Sequence, residues 1–214
     1  MSPTTIVLDM GNVIVEFSHA RMCEQIGIVA GVGAEPVRRL LFDQGWQWEL
    51  ERGSLSDGEF AARLEREFGC AIPRQALARA VGDIFSPVEG MGEFLADVKR
   101  TDIRLMLLSN TCRAHLDWIQ SQWDFLSYFD DLILSYDVGV MKPERRIFEA
   151  LVARVQADPA TLFFTDDIPE NVAASRAFGI DAEVFIDVVT LRRQLSERGL
   201  PLPSGAATPQ KIAG

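Results

Sequence analysis

Short apolar runs that end in polar residues recur along this chain. Thr4-Thr5-Ile6-Val7-Leu8-Asp9-Met10-Gly11 is the first; its brevity and β-branched content predict a buried strand. Arg104–Asn110, Asp131–Ser135, Leu162–Asp167 and Glu183–Asp187 repeat the pattern, and from Gly90 onward a helical periodicity separates each run from the next. Strands alternating with helices predict an α/β fold, a Rossmann-like doubly wound parallel sheet with helices on both faces. Helix starts are legible as well. Ser56-Asp57-Gly58-Glu59 reads as a capping box ahead of Phe60, Leu64 and Phe68 on one face, and Ser86-Pro87-Val88-Glu89 reads as another. Pro143 and Pro169 each open a helix, the second closing at Gly179.

Residues 18–85 break this rhythm. They carry helical patterns only, around Ala20–Val29, Pro36–Leu50, Ser56–Phe68 and Arg74–Ile84. The expected organisation is an α/β core from residues 1–17 and 86–198, with a helical module at 18–85 inserted after the first strand. Residues 199–214, rich in Pro, Ala, Gly and Ser beyond Pro201, are expected to be a disordered tail.

Composition narrows the function classes. With 214 residues and 48% hydrophobic content, one packed domain with an inserted module is affordable. The longest uncharged apolar stretch lies near Gly27–Ala34, far short of the roughly 20 residues a membrane span needs. No secretory signal is visible, so a cytoplasmic location is expected. A net charge of -10 repels nucleic acid and anionic membranes, although a bound cation can reverse the field locally. Cys23, Cys70 and Cys112 form no CxxC and read as reduced thiols, with Cys112 a small buried filler. His19 and His115, the only histidines, cannot build a His-rich metal site, and no serine sits in a GxSxG elbow.

Polar groups cluster at the ends of the expected strands: Asp9, Ser109 with Asn110, and Asp166 with Asp167, while Lys142 follows the third. Ligands of open parallel sheets bind at the carboxyl ends of strands, so these groups should converge. Taken singly, each has a plain structural role: Asp9 in a turn, Ser109 with Asn110 and the Asp166–Asp167 pair as helix caps, Lys142 in a solvated loop. Together they match phosphoryl transfer. A carboxylate such as Asp9 can attack phosphorus, and Lys142 and Ser109 can hold phosphoryl oxygens. Asp9, Asp167 and the Gly11 carbonyl can coordinate Mg2+, with Asp166 behind them. Asn171, one helical turn past Asp167, could tether a metal-bound water or Lys142.

The ordered set Val7-Leu8-Asp9-Met10-Gly11-Asn12-Val13, Leu107-Leu108-Ser109-Asn110-Thr111, Gly139-Val140-Met141-Lys142-Pro143 and Phe163–Asn171 resembles the haloacid dehalogenase superfamily of hydrolases with a small helical cap. The opening motif and Glu51-Arg52-Gly53-Ser54-Leu55-Ser56 are similar to bacterial alpha-D-glucose-1-phosphate phosphatases and to the phosphatase domain of soluble epoxide hydrolases. The resemblance implies a Mg2+-dependent phosphatase forming an aspartyl-phosphate on Asp9, with Asn110, Gly11, Asn12 and the cap residue Trp46 near a small phosphorylated metabolite, in a monomer or homodimer. The chain departs from the pattern at Gly11, where such phosphatases usually carry a second Asp as general acid; Glu16, a water or the substrate's own phosphate are candidate substitutes. A metal-free 2-haloacid dehalogenase is an alternative, disfavoured by the Asp166–Asp167 pair. A receiver domain would place its acidic pair after the first strand, and a degenerate scaffold would bind phosphorylated ligands without turnover.

Overall fold

The computed structural model describes residues 2–202. The strands are β1 (Thr5–Leu8), β2 (Val15–Phe17), β3 (Phe85–Pro87), β4 (Arg104–Ser109), β5 (Asp131–Leu134), β6 (Leu162–Asp166) and β7 (Asp181–Val184). The helices are α1 (His19–Ala30), α2 (Ala34–Arg38), α3 (Trp46–Glu51), α4 (Asp57–Phe68), α5 (Arg74–Gly82), α6 (Met91–Lys99), α7 (Arg113–Gln122), α8 (Ser135–Val138), α9 (Arg145–Val155), α10 (Pro169–Phe178) and α11 (Val188–Glu197). Five strands form a parallel sheet in the order β5-β4-β1-β6-β7, as expected for a doubly wound fold.

Successive side chains on a strand point to opposite faces, and here both faces are buried. Ile6, Leu8, Leu105, Leu107 and Phe163 pack on one face with residues of α6, α7 and α11. Val7, Met106, Leu108, Ile133 and Phe164 pack on the other with α9 and α10. This alternation sets the register that leaves Leu8 opposite Leu107 and Thr165, so β1, β4 and β6 end side by side. Asp9 and Asp166 come next after Leu8 and Thr165, and Ser109 follows two residues past Leu107 on β4, so the three gather at one edge of the sheet.

The helices α1 to α5 lie between β2 and β3 and have their own apolar cluster around Ile26, Leu41, Leu64 and Val81. Both ends of this segment leave through β2 and β3, which pair antiparallel as Val15–Pro87, Glu16–Ser86 and Phe17–Phe85. That pairing overturns the helix start expected at Ser86: the residue is in a strand, and α6 begins at Met91 after Gly90. The expected continuous helix over Pro36–Leu50 is broken. A π-helical turn at Arg39–Asp43, closed by Gln44 N donating to Arg39 O, redirects the chain, and α3 restarts at Trp46. The capping box at Ser56 is present, whereas the helix after Pro143 starts two residues later, at Arg145. The last strand sits earlier than expected. Ala182 is buried beside β6, while Ile186 is 71% exposed and Asp187 caps α11. Leu200 and Leu202, within the segment expected to be disordered, pack against the core; residues 203–214 of that tail lie outside the described residues.

The turn after α3 docks on the core. Arg52 pairs with Glu144 at 2.7 Å, and the Ser135 hydroxyl donates to the Glu51 carbonyl at 2.6 Å. Gly53, at φ 72°, lies so close to Tyr136 that an added Cβ would sit 2.2 Å from its carbonyl oxygen. Gly69, at φ 65°, has open space around it. Gly69→Ala should cost about 1–2 kcal/mol for its left-handed backbone alone. Gly53→Ala should cost clearly more, because backbone must move as well; urea unfolding of the two variants measures the difference.

Candidate active site

Lys142 is the centre of the site. Lys142, on the loop after α8, is 4% exposed, and its ammonium donates to three acceptors: Asp9 Oδ1 at 2.7 Å, Asp166 Oδ2 at 2.6 Å and the Leu108 carbonyl at 2.8 Å. Three donors meet three acceptors, so no N–H is left over. Asn110 fixes the loop from below: its amide accepts from Lys142 N at 2.8 Å and donates to Lys142 O at 2.9 Å. Expected at the substrate, Asn110 thus spends its side chain on the lysine backbone, which is why the ammonium arrives between two carboxylates.

The carboxylates are not equivalent. Asp166, fully buried, accepts from Lys142, from Asn171 Nδ2 at 3.0 and 3.1 Å, and from Ile168 N at 2.9 Å. Its oxygens are saturated. Asn171 therefore holds Asp166, sharing its Oδ2 with Lys142, so the tether expected between Asn171 and Lys142 runs through that carboxylate. Burial, the largest influence, pushes the Asp9 carboxyl up to about 7; Lys142 pulls it down and Asp166 pushes it up again. Burial works against the Lys142 charge too, but Asp9 and Asp166 outweigh it and hold the ammonium above its usual range. Asp167, more exposed, accepts from Asn12 Nδ2 at 2.9 Å, and Asn12 takes a left-handed backbone (φ 53°) to reach it.

One carboxylate oxygen each from Asp9, Asp166 and Asp167 lie within 4.8 Å of one another. Three hard anionic oxygens at that spacing suit a divalent cation such as Mg2+. Since Asp166 is already saturated by four hydrogen bonds, Asp9 and Asp167 are the carboxylates with lone pairs to spare. Gly11 follows Asp9 by two residues and lines a small cavity with Asn110; Ser109 ends β4, 1% exposed.

The residues match the haloacid dehalogenase-like hydrolases from position 3 to 179, most of the chain. This chain belongs to that family. Among its relatives is the D-ribitol-5-phosphate phosphatase of Bacteroides thetaiotaomicron, 28% identical over 185 residues, covering 82% of this chain and 88% of the relative. Among solved structures, a predicted hydrolase of the family from Porphyromonas gingivalis superposes with a TM-score of 0.79 at 25% identity, covering 91% of this chain and 98% of the other. A family enzyme from B. thetaiotaomicron, in complex with magnesium and inorganic phosphate, superposes with a TM-score of 0.78 at 21% identity, covering 87% and 96%. Among its described residues the hydrolase has no helix long and apolar enough to cross a membrane.

Two expected site residues lie elsewhere. Trp46 packs edge-on against Phe60 and beneath the Arg63 guanidinium, inside the helical segment. Glu16 is exposed on β2, paired across to Ser86. Conversely, Glu51 and His115 line a small cavity beside Gly11 and Asn110. Sequence reasoning gave them no role, although a Gln47–Glu51 pair one turn apart flanking buried Leu50 was a visible polar intrusion on a buried helix face.

Lys142→Met should leave two buried carboxylates without a counter-charge and cost about 3–5 kcal/mol. The Asp9 carboxyl, already pushed up by burial, loses the charge that pulls it down and lies further above its unfolded value, so the variant should be more stable at acidic than at alkaline pH. Urea unfolding with EDTA at several pH values measures both effects.

Proposed function

We propose that this hydrolase is a Mg2+-dependent phosphatase acting on a small phosphate monoester of the sugar or polyol class. The observation that carries the reading is the convergence of Asp9, Asp166 and Asp167 on one point beside the buried Lys142 ammonium. A metal-free dehalogenase would gain nothing from three carboxylates at that spacing. The phosphatase activity of the B. thetaiotaomicron relative, and the magnesium and phosphate held by the structural neighbour, support the same reading.

In this reading Asp9 is the nucleophile. Its carboxylate oxygen attacks phosphorus, the ester bond to the leaving group breaks, and an aspartyl-phosphate forms that water then hydrolyses. Asp9, Asp167 and the Gly11 carbonyl would hold Mg2+, which when bound supplies positive charge against the phosphoryl oxygens. Lys142 contributes a second, fixed charge, and Ser109 with the adjoining backbone amides donates to the phosphoryl oxygens. Asp166 and Asn171 keep Lys142 in place, and Asn12 steadies Asp167. Residues 18–85 act as the cap of an α/β core formed by 1–17 and 86–198, excluding bulk water from the site.

Hydrolysis of p-nitrophenyl phosphate with and without Mg2+ tests the proposal. Release that requires Mg2+ and falls to background in Asp9→Asn is expected; release indifferent to both changes refutes it. Asp167→Asn should raise the Mg2+ concentration needed for half-maximal rate by at least about 10–100-fold. It should also lose the stabilisation that Mg2+ is expected to give the unaltered protein in thermal unfolding, about 2.7 kcal/mol at a hundred times Kd.

A further inference from the structure

A phosphatase of this kind must place a proton on the departing oxygen, and Gly11 has no side chain to do so. The position cannot simply be refilled. A Cβ on Gly11 would lie 2.8 Å from Phe17 Cε1, and the Phe17 ring is itself wedged against His19 and Phe85. An aromatic ring thus stands where an acid at residue 11 would begin.

Across the same cavity stands a carboxyl. Glu51, the last residue of α3, lines the cavity together with Gly11, Phe17, Asn110 and His115. Three contacts fix it there. Gln47, 2% exposed, donates from Nε2 to Glu51 Oε1 at 2.8 Å, occupying one carboxyl oxygen and leaving the other for a proton. The Glu51 carbonyl accepts from the Ser135 hydroxyl, which in turn accepts from Thr111 N at 2.9 Å, two residues past Ser109. Arg52 pairs with Glu144, two residues past Lys142.

We infer that Glu51 is the general acid and base of the reaction, delivered from the helical segment in place of an acid at residue 11; the inference rests on the phosphatase reading above. As Asp9 bonds to phosphorus and the phosphorus–oxygen ester bond breaks, the Glu51 carboxyl gives its proton to the departing oxygen, so the leaving group departs as a neutral alcohol. Water then attacks phosphorus and passes a proton to the Glu51 carboxylate, the Asp9–phosphorus bond breaks, and Asp9, phosphate and protonated Glu51 result.

The surroundings suit that cycle. Burial raises the Glu51 carboxyl above its ordinary range, against Gln47 and the Lys142 charge, which lower it. The other groups facing the cavity add no competing charge: burial, with a smaller contribution from His19, drops His115 to about 3, and burial lowers His19 as well. His115 is 6% exposed, and its Nε2, which has no hydrogen-bond partner among the described residues, is left to bind a hydroxyl of the alcohol. The cavity, about 40 Å³, admits an oxygen and few further atoms, so a larger alcohol requires the helical segment to shift.

The test separates this inference from the phosphatase reading by leaving group. Glu51→Gln keeps the shape of the side chain and is compared with the unaltered protein on p-nitrophenyl phosphate and on glycerol phosphate, both with Mg2+ and rapid mixing. The expected first-turnover rate falls by about 10²–10⁴-fold on glycerol phosphate. On p-nitrophenyl phosphate, whose leaving group needs little protonation, it falls less than about tenfold, followed by a slow steady state because the base for the second step is missing. Equal losses on both substrates, or no loss on either, overturn the inference, whereas absence of Mg2+-dependent activity in the unaltered protein overturns the phosphatase reading itself. Should Glu51→Gln unfold, a series of aryl and alkyl phosphates on the unaltered protein decides: first-turnover rates nearly independent of leaving-group acidity support an internal acid, and a steep dependence overturns it.

Discussion

Everything at this site depends on one buried ammonium. Lys142 sits between two carboxylates in the interior of the sheet's carboxyl edge, where an isolated charge of either sign would cost several kcal/mol. The cost is met because the lysine has three acceptors, Asp9, Asp166 and the Leu108 carbonyl, and Asp166 has three donors, Lys142, Asn171 and Ile168. Such an arrangement tolerates no partial version, since removing one member strands the others. It also explains why so much nearby sequence is occupied with the lysine and not with a ligand. Asn110 holds its backbone, Asn171 holds its partner, and the strand register brings Leu108 O within reach.

The parallel sheet makes this possible cheaply. Because β1 is central, between β4 and β6, residues separated by a hundred positions in sequence end at the same level. The backbone donors of Asp9 are satisfied by its neighbour strand, with Asp9 N on Thr165 O at 3.0 Å, so the side chain is free to face the lysine. The second layer of organisation is the helical segment, which enters and leaves through one short antiparallel ribbon and touches the core again at the turn after α3. Its apolar cluster has its own centre but joins the core at Cys112, Ala114 and Phe85, and Gly82 of α5 packs against Trp118 of α7.

Much of this was legible before any coordinates. Short β-branched runs ending in Asp, Ser-Asn or Asp-Asp located the sheet and the convergence of its ends, because strand periodicity and ligand placement at carboxyl edges are local and topological regularities. What failed to show was set by tertiary pairing. Val15–Phe17 and Phe85–Pro87 are too short to announce themselves as strands, and only their mutual pairing overrides the helix-start chemistry at Ser86. The break at Arg39–Asp43 has no proline to mark it. Trp46 drew notice as an aromatic, yet its ring serves the helical cluster, while Glu51, five residues later, points to the cavity; side-chain direction within one helix turn is not readable from type alone.

The ring of Phe17 beside Gly11 ties two positions into a single evolutionary locus. An acid at residue 11 finds room only once residue 17 has shrunk, and a smaller residue at 17, with 11 unchanged, opens a gap beside His19 and Phe85. Neither change is neutral first. In this chain the ring of Phe17 and a side chain at residue 11 thus compete for one volume, so the packing of a single phenyl group decides what the loop after β1 can carry.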